Sequence, residues 1–293
     1  MKILLIGNTG QVGWELQRTL APLGSLTAID YPDINLTDMD NTRAWVRRVQ
    51  PNVIVNAAAY TAVDKAESDL ATAHAINATA AGVLAEEAKT LGAAMIHYST
   101  DFVFDGNKTT PYVETDPTNP LGAYGQTKRD GEIAVEQVGG ASITLRTAWV
   151  YSTRRPSFVT KTLEWARKFP ELRIVTDQIG CPTWCRLLAE ATALVIAMGG
   201  KHLTPWLTER RGIYHLAGDG GCSRYEWAQA ILKYDPHPEL QTAKALLPAL
   251  TADFPTPAAR PAYSTLNCDK FADTFGLRFP PWEEGLKMAM EEG

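Results

Sequence analysis

The sequence predicts an α/β fold: a Rossmann-like doubly wound parallel sheet with a smaller C-terminal α/β cap. Three observations carry this. Short apolar runs alternate with helical patterns over the first 150 residues, at the spacing of βαβ crossovers. The runs are continuously apolar rather than alternating, so both faces must be covered, as in a parallel sheet. A glycine-rich turn joins the first run to the first helical pattern.

The elements follow in order. "KILLIG" (2–7) is the first strand, and "QVGWELQRTLAPLG" after it places Val12, Leu16, Leu20 and Leu23 at helical spacing. "LTAID" (26–30) is a short second strand ending in an acid, and 41–51 alternates faces like a helix. "NVIVNAAAY" (52–60) is a third buried strand, and the alanine-rich stretch 69–91 a long helix. "AAMIHYSTDFVF" (93–104) is a fourth strand. A helix carrying Tyr124 and Lys128 follows, then a fifth strand, "ASITLRTAWVY" (141–151).

After residue 151 prolines cluster, at Pro236, Pro238, Pro248, Pro255, Pro257, Pro261, Pro280 and Pro281, and the alternation loosens. We read 1–151 as a Rossmann domain and 152–293 mainly as a cap. "LRIVTD" and "GIYHLAG" are expected to return to the main sheet.

Composition excludes several classes. With 293 residues, 45% hydrophobic and 21% charged, the chain can bury a large core. A net charge of −5 offers no basic field for nucleic acid or an anionic membrane. No apolar stretch reaches the ~20 residues of a membrane span, and the N-terminus lacks a signal-peptide pattern. Cys181, Cys185, Cys222 and Cys268 form no C-x-x-C pair and fit no zinc template, so they read as reduced thiols of a cytoplasmic protein.

"GNTGQVG" sets Gly7, Gly10 and Gly13 between strand and helix. Gly7 permits a tight turn, Gly10 lets backbone approach a pyrophosphate, and Gly13 lets the helix pack on the strand. The phosphates would meet free N–H groups at the helix N-terminus. Asp30 stands 17 residues beyond Gly13, near the ~20-residue offset of a ribose-binding acid. An acid there favours NADH, because it repels a 2′-phosphate; Asp33 and Asp38 are rivals for the role.

"YGQTK" puts Tyr124 one helical turn before Lys128. A phenol titrates near ~10, so a neighbouring ammonium, with a positively charged nicotinamide during part of the cycle, is expected to make it more acidic and able to give its proton as a hydride arrives on an adjacent carbon. "HYSTDFVFDG" ends the fourth strand at the ligand-binding edge of such sheets, where Thr100 offers a hydroxyl to a carbonyl. His97 and His215 lie inside strand patterns and read as core residues, since neither has a partner at metal spacing.

With these motifs the chain resembles the extended short-chain dehydrogenase/reductases, and within them the dTDP-4-dehydrorhamnose reductase family. The resemblance spans "GNTGQVGWELQRTLAPLG", "VNAAAYTAVDKAE", "HYSTDFVFDG", "YGQTK", "LRTAWVY", "DQIGCPT", "YHLAG" and "TPAARPAYSTLN". It implies an NADH- or NADPH-dependent reduction of a dTDP-linked 4-keto-6-deoxysugar. Gly10, Gln11 and Val12 would line the pyrophosphate, Asp30, Asp38 and Met39 the adenosine, and Ala59, Tyr60 and Thr61 the cofactor beyond the third strand. Thr100 and Asp101 would hold the sugar, and Trp149 would pack on it. Tyr124 would be the proton donor, with Lys128 on the nicotinamide ribose. The family gives "VDKAESDL" (63–70) a place beside the active site, without an assigned role. Arg260 is our own suggestion for the substrate diphosphate, on the grounds of guanidinium geometry.

Some family members hold Mg2+ between subunits. Glu15 and Glu292 match two of the carboxylate positions, but Arg186 occupies the third, and a cation there opposes a hard metal. We therefore expect no metal, although Glu190 lies one turn further on; a homodimer is possible but loses that support. The alternatives are a reductase of another nucleotide-linked 4-ketosugar and a non-catalytic relative, such as an adenosyltransferase regulator.

Overall fold

The structure, a computed structural model, describes residues 1–291. Five strands of the central sheet come from the first half of the chain: β1 (Lys2–Ile6), β2 (Ser25–Ile29), β3 (Val53–Asn56), β4 (Ala94–Thr100) and β5 (Ala141–Thr147). Gly212–His215 adds a sixth beside β5, and every pairing is parallel. From one edge the order is Gly212–His215, β5, β4, β3, β1, β2. The chain goes outward from β1 to β2, then returns to the other side of β1 for β3. A crevice therefore opens beyond the carboxyl ends of β1 and β3.

The apolar runs are continuous because successive side chains enter two cores. Ile3 and Leu5 point to one face with Val53, Val55, Ile96 and Ile143, and are covered by α1 (Gln11–Leu20) and the helix Cys185–Gly199. Leu4 and Ile6 point to the other face with Ile54 and Met95, against α2 (Met39–Val49) and the helix Ala80–Thr90. Each fully buried Leu or Ile contributes roughly 1.5–3 kcal/mol of apolar transfer. Tyr151, Trp184, Trp227, Leu286 and Met290 form a further core in the C-terminal half.

Several elements depart from expectation. The fourth strand stops at Thr100 rather than residue 104, because the Thr100 hydroxyl accepts the Phe102 N–H and turns the chain into a 3-10 helix, Asp101–Val103. The fifth ends at Thr147, and Trp149 lies at φ 43, a left-handed bend that cannot continue a strand. The long helix expected over 69–91 is interrupted by a π-helical turn, Ala75–Thr79, between Leu70–His74 and Ala80–Thr90. "GIYHLAG" joins the main sheet as expected, but "LRIVTD" does not: Glu171–Val175 pairs in parallel with Ala245–Ala249 in a separate two-stranded sheet.

Candidate active site

The glycine turn is held by its own backbone. Gly7 N–H donates to Ile29 O (2.9 Å) and Gly10 N–H to Gly7 O (3.1 Å). Gly7 has φ +89, and a Cβ on it would lie 2.5 Å from Ala58 N; a Cβ on Gly13 would lie 1.9 Å from Gly7 O. Both glycines are thus required by the protein itself. A Cβ on Gly10 would meet only Gly7 O, at 3.4 Å, so the space beside it is kept clear of protein. Gly10 caps α1 without a side-chain hydrogen bond, leaving the first N–H groups of the helix, at Gln11, Val12 and Gly13, with no side-chain acceptor. Asn8 Oδ1 and Gln11 Oε1 are buried there without partners. Clear space, free helical donors and orphaned polar atoms fit a dinucleotide pyrophosphate.

Asp30 follows β2 directly, and its Oδ2 accepts from Thr9 N–H (3.1 Å) and Thr9 Oγ1 (2.5 Å), which ties it to the turn. Asp38 instead caps α2, accepting Asn41 N–H at 3.0 Å, and Met39 packs partly against the core. Ala59, Tyr60 and Thr61 follow β3 into the crevice. Asn77, which sequence reasoning missed, holds this segment: its Oδ1 accepts Tyr60 N–H (2.8 Å), and its Nδ2 donates to Tyr60 O (3.2 Å) and Thr127 Oγ1 (3.1 Å). The extra residue of the π-turn places Asn77 there, and such turns recur at functional sites.

Tyr124, Thr100, Asp101 and Lys128 come together at the carboxyl end of β4. Tyr124 opens the helix Ala123–Val138, whose first N–H, that of Ala123, is capped by Glu67 Oε1 at 2.8 Å. Gly125 lets this helix sit against Phe102 O, since a Cβ would lie 2.2 Å away, and the Phe102 ring meets the Tyr124 ring edge-on at 5.6 Å. Burial pushes the phenol up to about 12, while a hydrogen bond with Thr100 pulls it back. Asp101 is 2% exposed and accepts from Ser264 Oγ (2.6 Å) and Thr100 Oγ1 (3.0 Å); burial holds its carboxyl up at about 6.

Lys128 makes a backbone contact that its spacing did not announce. Its Nζ donates to Tyr98 O at 2.6 Å, and burial pushes the ammonium down to about 8, opposed by Glu132. In the chain alone, burial makes the Tyr124 phenol less acidic. Glu132, also missed, lies under this site with Arg146 on both its oxygens (2.8 and 2.7 Å) and Ser99 Oγ at 2.6 Å.

On the opposite wall, Trp149 stacks on Trp227 at 5.5 Å, with the Arg224 guanidinium 3.6 Å over its ring. The Arg224 guanidinium therefore covers part of the Trp149 ring. Arg260 is committed elsewhere: Nη1 and Nη2 donate to Asp64 Oδ1 (3.1 Å) and Oδ2 (2.9 Å), and Nη1 also to Thr256 Oγ1 and Ala258 O. Its fork is filled, which argues against a first claim on a phosphate. The loop 63–70 is thus structural to the site: Asp64 anchors Arg260, Glu67 caps the tyrosine helix, and Asp69 accepts the Tyr60 hydroxyl at 2.9 Å.

His97 and His215 are both buried, and burial lowers both pKa values. Where the resemblance raised a metal site, Arg186 Nε donates to Glu15 Oε2 at 3.3 Å, so a cationic side chain already sits on that carboxylate. The residues described do not fit a divalent cation there; Glu292 lies outside them.

The sheet order, the glycine turn after β1 and the Tyr-x-x-x-Lys pair beside β4 define an extended short-chain dehydrogenase/reductase. A family model described as "RmlD substrate binding domain" matches residues 1–293. The dTDP-4-dehydrorhamnose reductase of Burkholderia thailandensis is 40% identical over 100% of this chain and 99% of its own. A dTDP-4-dehydrorhamnose reductase structure from Clostridium acetobutylicum superposes with a TM-score of 0.91 at 34% identity, covering 100% of this chain and 99% of that one. One from Bacillus anthracis, solved in complex with NADP, gives 0.88 at 31% identity and full coverage of both. The chain belongs to the dTDP-4-dehydrorhamnose reductase family.

Proposed function

We propose that the chain is an NAD(P)H-dependent reductase that converts the C4 ketone of dTDP-6-deoxy-L-lyxo-4-hexulose (dTDP-4-dehydrorhamnose) to dTDP-L-rhamnose. The observation that carries this is the meeting of Tyr124, Thr100, Asp101 and Lys128 at the crevice that the glycine turn enters. Family membership supplies the substrate class.

The reduced nicotinamide supplies the hydride. The chain's part begins with binding: Gly7, Gly10, Gln11, Val12 and Gly13 cradle the pyrophosphate on helical N–H groups. Asp30 accepts from the ribose, with Asp38 and Met39 at the adenosine edge, and Ala59, Tyr60 and Thr61 run along the cofactor. Thr100 and Asp101 hold the sugar, with Trp149 behind it. A phenol held at about 12 is fully protonated at neutral pH, which suits a group that must arrive loaded. As negative charge builds on the ketone oxygen, Tyr124 gives up its proton. The Lys128 ammonium and the Thr100 hydroxyl then stabilise the phenolate until solvent restores the proton.

In this reading residues 1–151 serve mainly the cofactor and 152–293 mainly the substrate. The four free cysteines are in keeping with a cytoplasmic enzyme. Among the described residues no helix is long and apolar enough to cross a membrane.

The test is an assay of the purified chain with enzymatically prepared dTDP-4-dehydrorhamnose, following loss of NADH and, separately, NADPH. The acid at Asp30 favours the first, while the Bacillus anthracis relative was solved with NADP. The expected result is cofactor oxidation with dTDP-L-rhamnose as product by NMR. No oxidation with either cofactor, or preference for a different nucleotide-linked ketosugar, would contradict the assignment.

A further inference from the structure

Glu132 is a fully buried carboxylate beneath the reacting groups. It stands one helical turn beyond Lys128 on the helix Ala123–Val138, so the two side chains share one face. That face meets the end of β4 at successive residues. Lys128 Nζ donates to Tyr98 O at 2.6 Å, and Ser99 Oγ donates to Glu132 Oε1 at 2.6 Å. Thr100, the next residue, carries the hydroxyl that bonds to the Tyr124 phenol. Lys128, Glu132 and Tyr124 thus grip the strand end at neighbouring points.

Arg146 on β5 holds Glu132 as well, Nε to Oε1 at 2.8 Å and Nη2 to Oε2 at 2.7 Å, and Arg129 Nη1 reaches Oε2 at 3.5 Å. Stability alone does not account for this arrangement. A buried ion pair is often no better than well-packed apolar side chains of similar volume. This one also strands Arg146 Nη1, which is buried without a partner.

Charge accounts for it. Lys128, Arg129 and Arg146 are cations gathered about a single carboxylate, and Glu132 supports the Lys128 ammonium against burial. The other titratable groups packed around this helix are engaged elsewhere or neutral. Burial, then the charge of Lys128, hold His97 of β4 neutral. Asp101, beyond the end of β4, is held up at about 6 by burial and already accepts from Ser264 and Thr100. Tyr124, at about 12, is protonated until it reacts. Within 63–79, Asp64 binds Arg260, Lys65 meets Asp69 at 3.9 Å, Glu67 caps Ala123 N–H, and His74 meets Asp130 at 3.7 Å. The helix Ala80–Thr90 gives Glu86 and Glu87 to Arg43 and Arg47, and its Lys89 Nζ to Val138 O.

We propose that Glu132 is a positioning residue of the reduction: through Ser99 it clasps the tyrosine helix to the end of β4, and its charge keeps Lys128 an ammonium beside the forming phenolate. This rests on the roles given above to Tyr124 and Lys128. Being fully buried, Glu132 acts through the lysine rather than on substrate or cofactor.

The experiment follows Lys128 directly, by NMR of the full chain isotope-labelled at lysine Cε, with the signal assigned by its loss in Lys128→Met. The pH profile of kcat for dTDP-4-dehydrorhamnose is recorded alongside. In the wild type Lys128 should titrate near 8. Glu132→Gln keeps the shape and loses the charge, and removing a negative neighbour favours the neutral amine. The Lys128 midpoint and the alkaline limb of kcat should therefore both move to lower pH, by roughly half to one pH unit, while cofactor Kd stays within about threefold. If that variant does not fold, Glu132→Gln combined with Arg146→Met removes both buried charges, leaves neither unpaired, and should show the same downward move. A kcat lowered equally at every pH, with an unmoved Lys128 midpoint, would mark a structural role and overturn the inference. So would a shifted midpoint with kcat unchanged at every pH. An inactive wild type whose Lys128 midpoint still moves in the variant would contradict the reductase reading while bearing out the coupling of Glu132 to Lys128.

Discussion

One wall of the cleft comes from successive strand ends of the sheet: the glycine turn after β1, Asp30 after β2, Ala59–Thr61 after β3 and Thr100–Asp101 after β4. The other is gathered from Trp149, Gly180, Arg224, Trp227 and Ser264, residues far apart in sequence. The first wall is fixed backbone to backbone, with Gly13 and Gly7 in contact that admits no Cβ. The second is fixed side chain to side chain, by stacked aromatic rings and an arginine. The difference suggests a division of labour: a rigid backbone socket suits a cofactor that is the same in every turnover, and a side-chain wall is easier to retune for a substrate.

The predictions press on this contrast in order of expected size. Gly13→Ala drives a methyl group into Gly7 O and should destabilise the fold by about 3 kcal/mol, at the upper end of overpacking effects, and abolish measurable cofactor binding; denaturant melts and cofactor fluorescence titration read both. Retained binding would mean that the turn yields more easily than its geometry implies.

Asp101 joins the walls and gives a pH signature. Its carboxyl is raised in the fold from the ordinary 3.8 to about 6, so the folded chain holds a proton that the unfolded chain releases. This contribution to stability is fully present below about 3.8 and is lost as pH rises through about 6, amounting to roughly 3 kcal/mol at most. Asp101→Asn removes the titration. Relative to wild type, the variant should therefore gain stability by up to that amount between pH 4 and pH 7, measured by urea unfolding. A constant difference across that range would show that Asp101 is not held protonated by burial.

Lys128→Met should lower kcat by roughly 10- to 100-fold, on the scale of removing a charge that supports the phenolate. Gly180→Ala should act on the second wall alone. Its Cβ meets the Trp149 ring, so KM for the ketosugar should rise by roughly three- to tenfold while cofactor affinity stays put. An equal loss of cofactor affinity would erase the distinction between the walls.

The two walls also differed in how legible they were. The glycine turn, the parallel strands and the Tyr124–Lys128 pair could be read because each rests on local spacing: period, chain reversal or one helical turn. Strand ends could not, because Thr100 and Trp149 end their strands through a side-chain cap and a left-handed backbone that no pattern announces. Asn77 was hidden in an alanine-rich helix whose π-turn depends on tertiary contacts. The commitment of Arg260 to Asp64 could not be read either, because the two stand 196 residues apart in the chain. The burial that raises the Tyr124 phenol could not be read for a similar reason, since burial is a property of the fold and the lysine spacing is not.

The central claim is that Tyr124 delivers the proton in the cleft that the cofactor enters. It is tested most directly by Tyr124→Phe, with cofactor affinity and single-turnover reduction of dTDP-4-dehydrorhamnose measured on the same preparation. The account predicts cofactor affinity within about threefold of wild type and a reduction rate lower by two or more orders of magnitude. A variant that reduces the ketosugar at the wild-type rate would contradict it.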